Sequence, residues 1–349
     1  MSRRKKVTMA DIANELDVSV VTVSKALSGK DGVSDELRKR IEEVSEELGY
    51  VAPRDNESDS DNEDSIRPNL NVGILIADHY FQNSNSFYFD LYQLMIKRLA
   101  DLGFYGIVEI ITEEEISKRH VPQFLKQKYV AGLVVLGQFP QQYLEDTAAF
   151  KVPSIYVDFD IPQIKEDCIV QDNVNGSYLA TEYLIQLGHR KIAYVGSIKA
   201  TTSIMERYLG YHRAMLTYDL PVRREWILED RDQRGFFIDV VLPEDLPTAF
   251  VCNNDEGAAA LIKQFAKQGI RVPEDVSVIA FDNTIYSTLS DPPLTTVAVD
   301  ADTMAIFTVD DLLRKIRKRD AQWRHSCKVV EVELTVRGSV SEPQHVKSV

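Results

Sequence analysis

Residues 7–50, VTMADIANELDVSVVTVSKALSGKDGVSDELRKRIEEVSEELGY, contain three short amphipathic patterns in succession. Their apolar positions recur at helical spacing: Ile12, Ala13 and Leu16, then Val20, Val23 and Leu27, then Leu37, Ile41, Val44 and Leu48. Ser19 and Ser34 stand where the second and third helices would take an N-cap. Two helices joined by a tight turn, with a third closing the core, form a helix-turn-helix, which places its second helix in the DNA major groove. The pattern alone equally allows a small helical bundle that binds protein or no partner.

Several short motifs in this stretch agree in order and separation with one known family. They are Val18-Ser19, Thr22-Val23-Ser24, Val33-Ser34 and Leu48-Gly49-Tyr50. The stretch resembles the N-terminal DNA-binding domain of the LacI/GalR (lactose-repressor/galactose-repressor) family of bacterial transcription factors. The resemblance implies DNA contacts from these residues: Thr8, Ser19, Val20, Val21, Thr22, Ser24, Lys25 and Ser28.

The resemblance also assigns individual roles on the second, recognition helix. Val20 and Val21 begin it, and valine offers a base edge only apolar contact, for instance with a thymine methyl. Burial in the domain core is the alternative for Val20. Lys25 stands one turn later and is expected to contact guanine or phosphate. Thr22 and Ser24 are expected to anchor phosphates or cap the helix rather than read bases.

Composition limits the class of protein. The chain has 349 residues, enough for two or three domains, and a net charge of −14, so contact with polyanionic DNA is expected to be local. No apolar run approaches the ~20 residues that cross a bilayer, and no signal-peptide core follows the start, so a cytoplasmic protein without membrane contact is expected. The three cysteines, Cys168, Cys252 and Cys327, form no CxxC motif and are expected to be free thiols in a reducing compartment.

An acidic segment separates the first domain from the rest. Residues 55–65 read DNESDSDNEDS, without a basic or apolar side chain, and such a segment is expected to be disordered. The family that the chain resembles normally carries there a short hinge helix that inserts into the minor groove, and we predict that this helix is absent. The expected domains are the helix-turn-helix at 1–52, the linker at 53–69 and an effector-binding and dimerisation domain at 70–349.

From residue 70 onward, strand-like and helical patterns alternate. The strand-like runs are 71–78, 105–111, 131–137, 153–159, 167–172, 191–197, 248–253, 276–282, 294–300 and 329–339. Near-continuous apolar strands between amphipathic helices predict parallel sheets covered on both faces. The run count favours an α/β core of two doubly wound lobes, with about 70–166 and 298–326 in the first and about 167–297 and 327–349 in the second. The core also resembles the sugar-sensing, periplasmic-binding-protein-like core of the same family, with the poorest fit over 229–246.

Polar side chains stand where several of these strands end. In two-lobed α/β proteins, ligands bind at the carboxyl ends of the strands. The expected effector-binding residues are Asp78, Phe87, Tyr88, Asp158, Arg207, Asn254 and Asp282. Arg207, Asn254, Asp282 and Asp158 are assigned through the resemblance to positions that contact effector hydroxyls. A role in the core remains open for Phe87 and Tyr88, and Asp78 equally fits the start of a loop.

These features predict a transcriptional regulator, and specifically a repressor, that binds double-stranded operator DNA as a homodimer. Its effector is expected to be a small polar molecule such as a sugar or sugar phosphate. No nucleophile motif, phosphate loop, metal motif or cofactor motif occurs, so neither an enzyme nor a cofactor is expected. The alternative is a sugar-sensing protein with degenerate DNA binding that acts through protein partners.

Overall fold

The computed structural model describes residues 9–16, 18–27, 33–48, 71–81, 87–318 and 324–343. The chain divides into two compact units, Met1–Ser65 and Ile66–Val349. Three sets of predictions lie outside the described residues: the contacts of Thr8 and Ser28, the acidic linker at 53–69 and the missing hinge helix.

The described residues of the first unit form three helices, as predicted. They are α1 (Met9–Glu15), α2 (Val20–Leu27) and α3 (Asp35–Leu48). One apolar cluster joins them, and its fully buried members are Ile12, Ala13, Val23, Ala26 and Ile41. Burying a side chain of the size of Val or Ile contributes about 1.5–3 kcal/mol, so this small core depends on each of its members.

Two polar contacts fix how α2 begins and ends. Ser19 Oγ accepts a hydrogen bond from the backbone N–H of Thr22 at 3.0 Å, which makes Ser19 the N-cap of α2. At the other end, Arg38 Nη1 on α3 donates to the carbonyl oxygen of Ala26 at 2.9 Å. A cation there complements the negative end of the helix dipole, so Arg38 connects α3 to the last turn of α2.

The second unit contains two six-stranded sheets. The first sheet consists of β1 (Asn71–Ala77), β2 (Tyr105–Ile111), β3 (Gly132–Leu136), β4 (Ser154–Val157), β5 (Asp167–Gln171) and β11 (Cys327–Val330), in the order β11-β5-β4-β3-β1-β2. The second consists of β6 (Ile192–Val195), β7 (Ile227–Leu228), β8 (Ala249–Cys252), β9 (Ser277–Asp282), β10 (Thr295–Val299) and β12 (Val332–Thr335), in the order β12-β10-β9-β8-β6-β7. All pairs are parallel except β10 with β12.

Helices cover these sheets, which confirms the predicted α/β class. They are α4 (Asp78–Phe81), α5 (Phe87–Asp101), α6 (Glu113–Ser117), α7 (Gln123–Lys126), α8 (Gln141–Ala148), α9 (Asn173–Gln186), α10 (Thr202–Thr217), α11 (Asp255–Lys267), α12 (Ile285–Leu289) and α13 (Ala301–Lys318). Helices α9 and α10 pack closely because Gly210 has no side chain, and a Cβ there would lie 2.2 Å from the carbonyl oxygen of Val174. None of the described helices is both long and apolar enough to cross a bilayer.

The chain crosses between the sheets three times, and this corrects the predicted lobe boundaries. It leaves the first sheet after β5, returns between β10 and α13, and leaves again between β11 and β12. The prediction placed 167–171 and 327–330 in the second lobe, whereas both segments pair with each other in the first sheet. An apolar run predicts a strand but does not indicate which sheet the strand joins. Here β5 and β11 both belong to the first sheet, and the chain passes to the second lobe only after each of them.

The same pairing corrects the expectation of three free thiols. Cys168 lies directly opposite Cys327 in the β5–β11 register, and the two are joined as a disulfide. They are separated by 159 residues in the sequence, so only the sheet topology brings them together. Cys252 is the remaining cysteine and is a buried free thiol.

Candidate functional site

A cavity of about 100 Å³ lies where strand ends of the two sheets face each other. Its lining comes from both lobes. The first wall, from the first lobe, consists of His79, Tyr80, Phe87, Tyr88 and Asp158. The second wall, from the second lobe, includes Arg207, Arg231, Phe237, Asn253, Asn254 and Asp282. Parallel strands direct their carboxyl ends to one edge of a sheet, which is why residues so distant in sequence meet here.

Asp158 follows the last residue of β4 and is only 5% exposed. Tyr88 Oη donates to its Oδ2 at 2.5 Å, and Gln171 Nε2 donates to its Oδ1 at 2.7 Å. Its φ of 70° lies in the left-handed region, which non-glycine residues seldom adopt. Two side chains and a strained backbone thus hold this carboxyl group at the cavity, as is common at functional sites.

Arg207 lies on α10, is 5% exposed and organises the second wall. Its Nε donates to Asn173 Oδ1 at 2.8 Å, and its Nη1 donates to the carbonyl oxygen of Asn253. Its Nη2 lies 3.0 Å from Asp282 Oδ1, and the guanidinium stacks 3.9 Å above the centroid of the Phe281 ring. The planar guanidinium uses its fork of donors and its face together, which a lysine could not do.

Asp282 is the counterpart of Asp158 in the second lobe. It ends β9 and also has a positive φ, of 102°. Its Oδ1 is buried and forms the ion pair with Arg207, yet has no hydrogen bond of good geometry from any described residue. A buried oxygen that lacks such a hydrogen bond can accept one from a bound molecule.

A second cation of the cavity, Arg231, was not predicted, and its side chain is 11% exposed. Its Nη2 donates to Asp230 Oδ2 at 2.9 Å, and Asn253 Nδ2 donates to the same oxygen at 2.5 Å. Arg231 also stacks 4.9 Å from the centroid of the Phe237 ring, and these two residues form an isolated antiparallel bridge. The segment over 229–246, where the family resemblance was poorest, therefore supplies one edge of the cavity. The Arg-Asp-Gln-Arg-Gly turn was its only sequence signal.

The first wall is aromatic apart from Asp158 and His79. The rings of Tyr80 and Tyr88 lie 4.5 Å apart between centroids, and those of Phe87 and Tyr88 lie 5.6 Å apart. Phe87 is buried and Tyr88 half-buried, so both are core residues and lining residues at once. Such rings offer an apolar face to a ligand while the Tyr88 hydroxyl is occupied by Asp158.

Of the predicted effector residues, Asp78 lies away from the cavity and Asn254 has a second, structural role. Asp78 does not line the cavity, which corrects its assignment. It starts α4 directly after β1, and its Oδ1 lies 4.0 Å from His79 Nδ1, while the following His79 and Tyr80 reach the cavity instead. Asn254 does line the cavity, but its Oδ1 accepts from the backbone N–H of Gly257 at 2.9 Å, so it also caps α11.

Burial governs the protonation of the two carboxyl groups. It raises the pKa of Asp158 to about 7, although Arg207 and the Tyr88 hydrogen bond act in the opposite direction. Burial also raises the pKa of Asp282, against the effect of Arg207. Burial and the neighbouring Asp158 raise the pKa of Tyr88, so the phenol remains a hydrogen-bond donor. Asp158 therefore titrates near neutral pH.

The predicted DNA-contact residues that the structure describes lie on α2 or at its N-cap. Val20 is 46% and Val21 64% exposed, so the core role that was the alternative for Val20 is not what the structure shows. Ser24 and Lys25 are exposed, whereas Val23 and Ala26 face the core. Ser19 and Thr22 share a hydrogen bond at 2.8 Å between their hydroxyl oxygens. This exposed face combines apolar and cationic side chains.

Comparison with known proteins agrees with both units. Residues 8–52 match the model for bacterial regulatory proteins of the lacI family, and residues 181–340 match that for a periplasmic binding protein-like domain. The transcriptional regulator DegA of Bacillus subtilis is 31% identical over 84% of this chain and 86% of its own length. The transcriptional repressor PurR of Aliivibrio fischeri is 31% identical over 96% of this chain and 98% of its own length.

A solved structure shows the same fold over nearly the whole chain. The transcriptional regulator CelR in complex with cellobiose has a TM-score of 0.68 and 22% identity, covering 96% of this chain and all of that one. The curated relatives named above are regulators rather than enzymes. The helix-turn-helix head, the two-lobed core and the extent of these similarities together show that this chain is a DNA-binding transcriptional regulator and belongs to the LacI family.

Proposed function

We propose that this regulator is a repressor whose effector is a neutral sugar bound between the two walls. The observation that carries the proposal is that Asp158, which is buried, and Asp282, whose side chain is 10% exposed, come from different lobes and line one cavity. Carboxylates accept hydrogen bonds in fixed directions, and a sugar offers several hydroxyl donors at once. The aromatic rings of the first wall suit the apolar face of a pyranose. The cellobiose bound by CelR, which shares the fold, is in keeping with this ligand class.

Charge favours a neutral sugar over a sugar phosphate. Both guanidinium groups that line the cavity are already ion-paired, Arg207 with Asp282 at 3.0 Å and Arg231 with Asp230 at 2.9 Å. A phosphate would add negative charge next to these carboxylates in a largely desolvated site, where like charges repel each other strongly. Hydroxyl groups bind beside the existing pairs without that penalty. The effector residues that we propose are Phe87, Tyr88, Asp158, Arg207, Arg231, Asn254 and Asp282.

For the head, we propose that α2 is the recognition helix. Val20 and Val21 are exposed at its start and would make apolar contact with bases, while Lys25 would reach phosphate or guanine. Ser19, Thr22 and Ser24 would anchor the backbone, together with Thr8 and Ser28. Helix-turn-helix heads usually read paired half-sites about one helical turn apart, so the working form would be a homodimer on a two-fold operator.

Control of DNA binding then requires that the sugar favours one lobe arrangement over another. A ligand shifts such an equilibrium only by its difference in affinity between the two states. Asp158 and Asp282 lie on different lobes, so a molecule that hydrogen-bonds to both stabilises the arrangement that brings them together. The head domains at 1–52 would be repositioned through the linker at 53–69.

The test has two parts. Thermal denaturation of the full chain in the presence of a panel of neutral sugars and their phosphates should show a raised melting temperature for one neutral sugar, because binding to the native state stabilises it. DNA sites selected from a random pool should then bind with an affinity that falls steeply with salt and changes when that sugar is added. A response only to phosphorylated sugars would contradict the neutral ligand, and absence of DNA binding at low salt would contradict the repressor.

Two lysine variants, one in the head and one in the core, test whether Lys25 contacts DNA. If Lys25 contacts phosphate, Lys25→Ala should weaken binding to all sites alike and lower the slope of log affinity against log salt by about 1. If it contacts guanine, the same variant should relax the choice of base at one position of the selected site. Lys263→Ala, an exposed lysine of the core, serves as the control and should change neither quantity. Identical behaviour of the two variants would remove Lys25 from the DNA contact.

A further inference from the structure

We propose that Cys168, Cys327 and Asp160, when the two cysteines are reduced, form a binding site for a thiophilic divalent cation such as Zn²⁺. The site lies in the first lobe and is separate from the effector cavity. The metal site does not depend on the identity of the effector. A negative result for the metal site would therefore leave the proposed function unaffected, and the converse also holds.

The strand register brings the two sulfur ligands together. Cys168 on β5 faces Cys327 on β11, with Cα atoms 4.5 Å apart. A tetrahedral Zn²⁺ with Zn–S bonds of about 2.3 Å separates two sulfurs by about 3.8 Å. Two cysteines at this Cα separation can span that distance by rotating about their Cα–Cβ bonds, so no movement of the strands is required.

Asp160 supplies the third ligand from the loop that follows β4. One of its carboxylate oxygens and the two sulfur atoms all lie within 4.8 Å of one another. Thiolate and carboxylate are both established zinc ligands. Cys168 is buried while Asp160 and Cys327 are exposed, so an ion could reach the group from solvent.

The structure also provides space beside the three ligands. A cavity of about 200 Å³ adjoins the group and is lined by Asp160, Cys168, Cys327 and His325, among others. The ring nitrogens of His325 group with Glu166 and Asp167 and not with the two sulfur atoms. A water molecule from the cavity would therefore fill the fourth position, as in zinc sites with three protein ligands.

A neighbouring acidic group is a poorer site. Glu166, Asp167 and His325 also bring ligand atoms within 4.8 Å of one another. However, Lys315 Nζ lies 2.6 Å from Glu166 Oε2 and 3.0 Å from Asp167 Oδ2. An ammonium group already neutralises these carboxylates and would repel a second cation, so the sulfur-containing group is the one we assign.

Metal binding and the disulfide exclude each other, because both use the same two sulfur atoms. In the test, a phosphine reductant cleaves the S–S bond to give two thiols, and the phosphine becomes a phosphine oxide whose oxygen comes from water. The cation then replaces the two thiol protons, which are released to the buffer. The disulfide form has no thiolate to offer.

The experiment uses the tag-free full chain, reduced with a phosphine, freed of metal and titrated with Co²⁺ as a spectroscopic probe. We expect one equivalent per chain, with tetrahedral d–d bands and a sulfur-to-cobalt charge-transfer band that Zn²⁺ abolishes by displacement. Cys327→Ser should lose the charge-transfer intensity of one thiolate and most of the affinity. Asp160→Asn should weaken Co²⁺ binding by more than about tenfold, the scale seen when even an outer partner is lost.

The third cysteine provides the control. Cys252→Ala should keep the spectrum and the stoichiometry, because Cys252 lies in the second sheet away from the group. Oxidation of the chain with a diazene dicarboxamide, which takes up two electrons and two protons as the disulfide forms, should abolish binding. The proposal would be overturned if the reduced chain, with all three thiols shown to be free by titration, gave no charge-transfer band. It would also be overturned if the band were unchanged in Cys327→Ser. Unchanged affinity in Asp160→Asn would overturn the three-ligand assignment.

Discussion

The two walls of the effector cavity reach similar geometry with different chemistry. Each places a carboxyl group at a strand end with a positive φ, Asp158 in the first lobe and Asp282 in the second. The first wall surrounds its carboxyl group with aromatic rings and neutral donors, whereas the second pairs it with a guanidinium. One wall therefore holds an acid that titrates near neutral pH, and the other holds a fixed ion pair. A ligand between them meets apolar faces on one side and charged hydrogen-bonding groups on the other.

The largest expected effect lies in the second wall. Arg207→Ala removes one partner of a buried ion pair and leaves Asp282 uncompensated, which typically costs about 3–5 kcal/mol of unfolding free energy. Urea denaturation should show this loss, together with the absence of any sugar-induced shift. Arg207→Lys keeps the charge and should recover part of the stability but not the sugar response. Arg213→Ala, an exposed arginine on the same helix, should lose about 1 kcal/mol or less, and an equal loss in both alanine variants would refute the role of Arg207.

The next effect is the pH dependence of the first wall. The pKa of Asp158 is raised to about 7 by burial, above that of an unfolded aspartate at about 3.9. Between these values the native chain keeps the proton that the unfolded chain has lost, so the contribution of Asp158 to stability falls as pH rises from about 4 to about 7. Asp158→Asn should lower the steepness of this fall by up to about 1.4 kcal/mol per pH unit.

Denaturation midpoints measured from pH 4 to pH 8 would check this dependence. Asp219→Asn, which alters an exposed carboxylate, should retain the slope of the native chain. Asp255, whose pKa burial also raises to about 7, remains in both variants and should leave a residual slope of the same sign. A slope in Asp158→Asn equal to that of the native chain would contradict the difference between the two walls.

The smallest effect concerns the contact within the first wall. Tyr88→Phe removes the hydroxyl that donates to Asp158 Oδ2 at 2.5 Å, and the loss of one partner of such a hydrogen bond costs about 1–3 kcal/mol. Tyr92→Phe, on the same helix but outside the cavity lining, is the matched control. Calorimetric melting at pH 8 should separate the two variants, and coincident melting curves would show that the hydroxyl contributes nothing to holding Asp158.

The residues that could be predicted are those that follow a strong apolar strand. Asp158 follows β4 and Asp282 ends β9, so the parallel-sheet rule brings both to one edge. Arg207 lies inside α10, and its assignment came from the family resemblance. Asp78 also follows a strand, yet it does not line the cavity. The chain turns directly into α4 at this residue, and its carboxylate lies beside His79. Arg231 could not be found in this way, because its segment has little regular structure and its position depends on the buried Asp230.

The lobe boundaries and the disulfide could not be predicted from the sequence, and the reason is a different one. Both depend on β5 pairing with β11, two segments that are separated by more than 150 residues and carry no reciprocal signal. Hydrophobic pattern describes the neighbourhood of one strand and not the identity of its partner. The helix-turn-helix, by contrast, needs only local contacts among α1, α2 and α3, and Ile12, Ala13, Val23 and Ile41 of its predicted apolar faces are buried in one cluster. Val20 is the exception, since it is exposed.

Gln171 links the carboxyl group of Asp158 to the segments that connect the two lobes. It is the last residue of β5, immediately before the chain first passes to the second lobe, and its Nε2 donates to Asp158 Oδ1. The next residue, Asp172, donates its backbone N–H to the carbonyl oxygen of Val330 beside the third crossing, so two of the three connecting strands are fastened at this point. A bound molecule that moved Asp158 would therefore act directly on the segments that connect the two lobes, without any intermediate residue of either core.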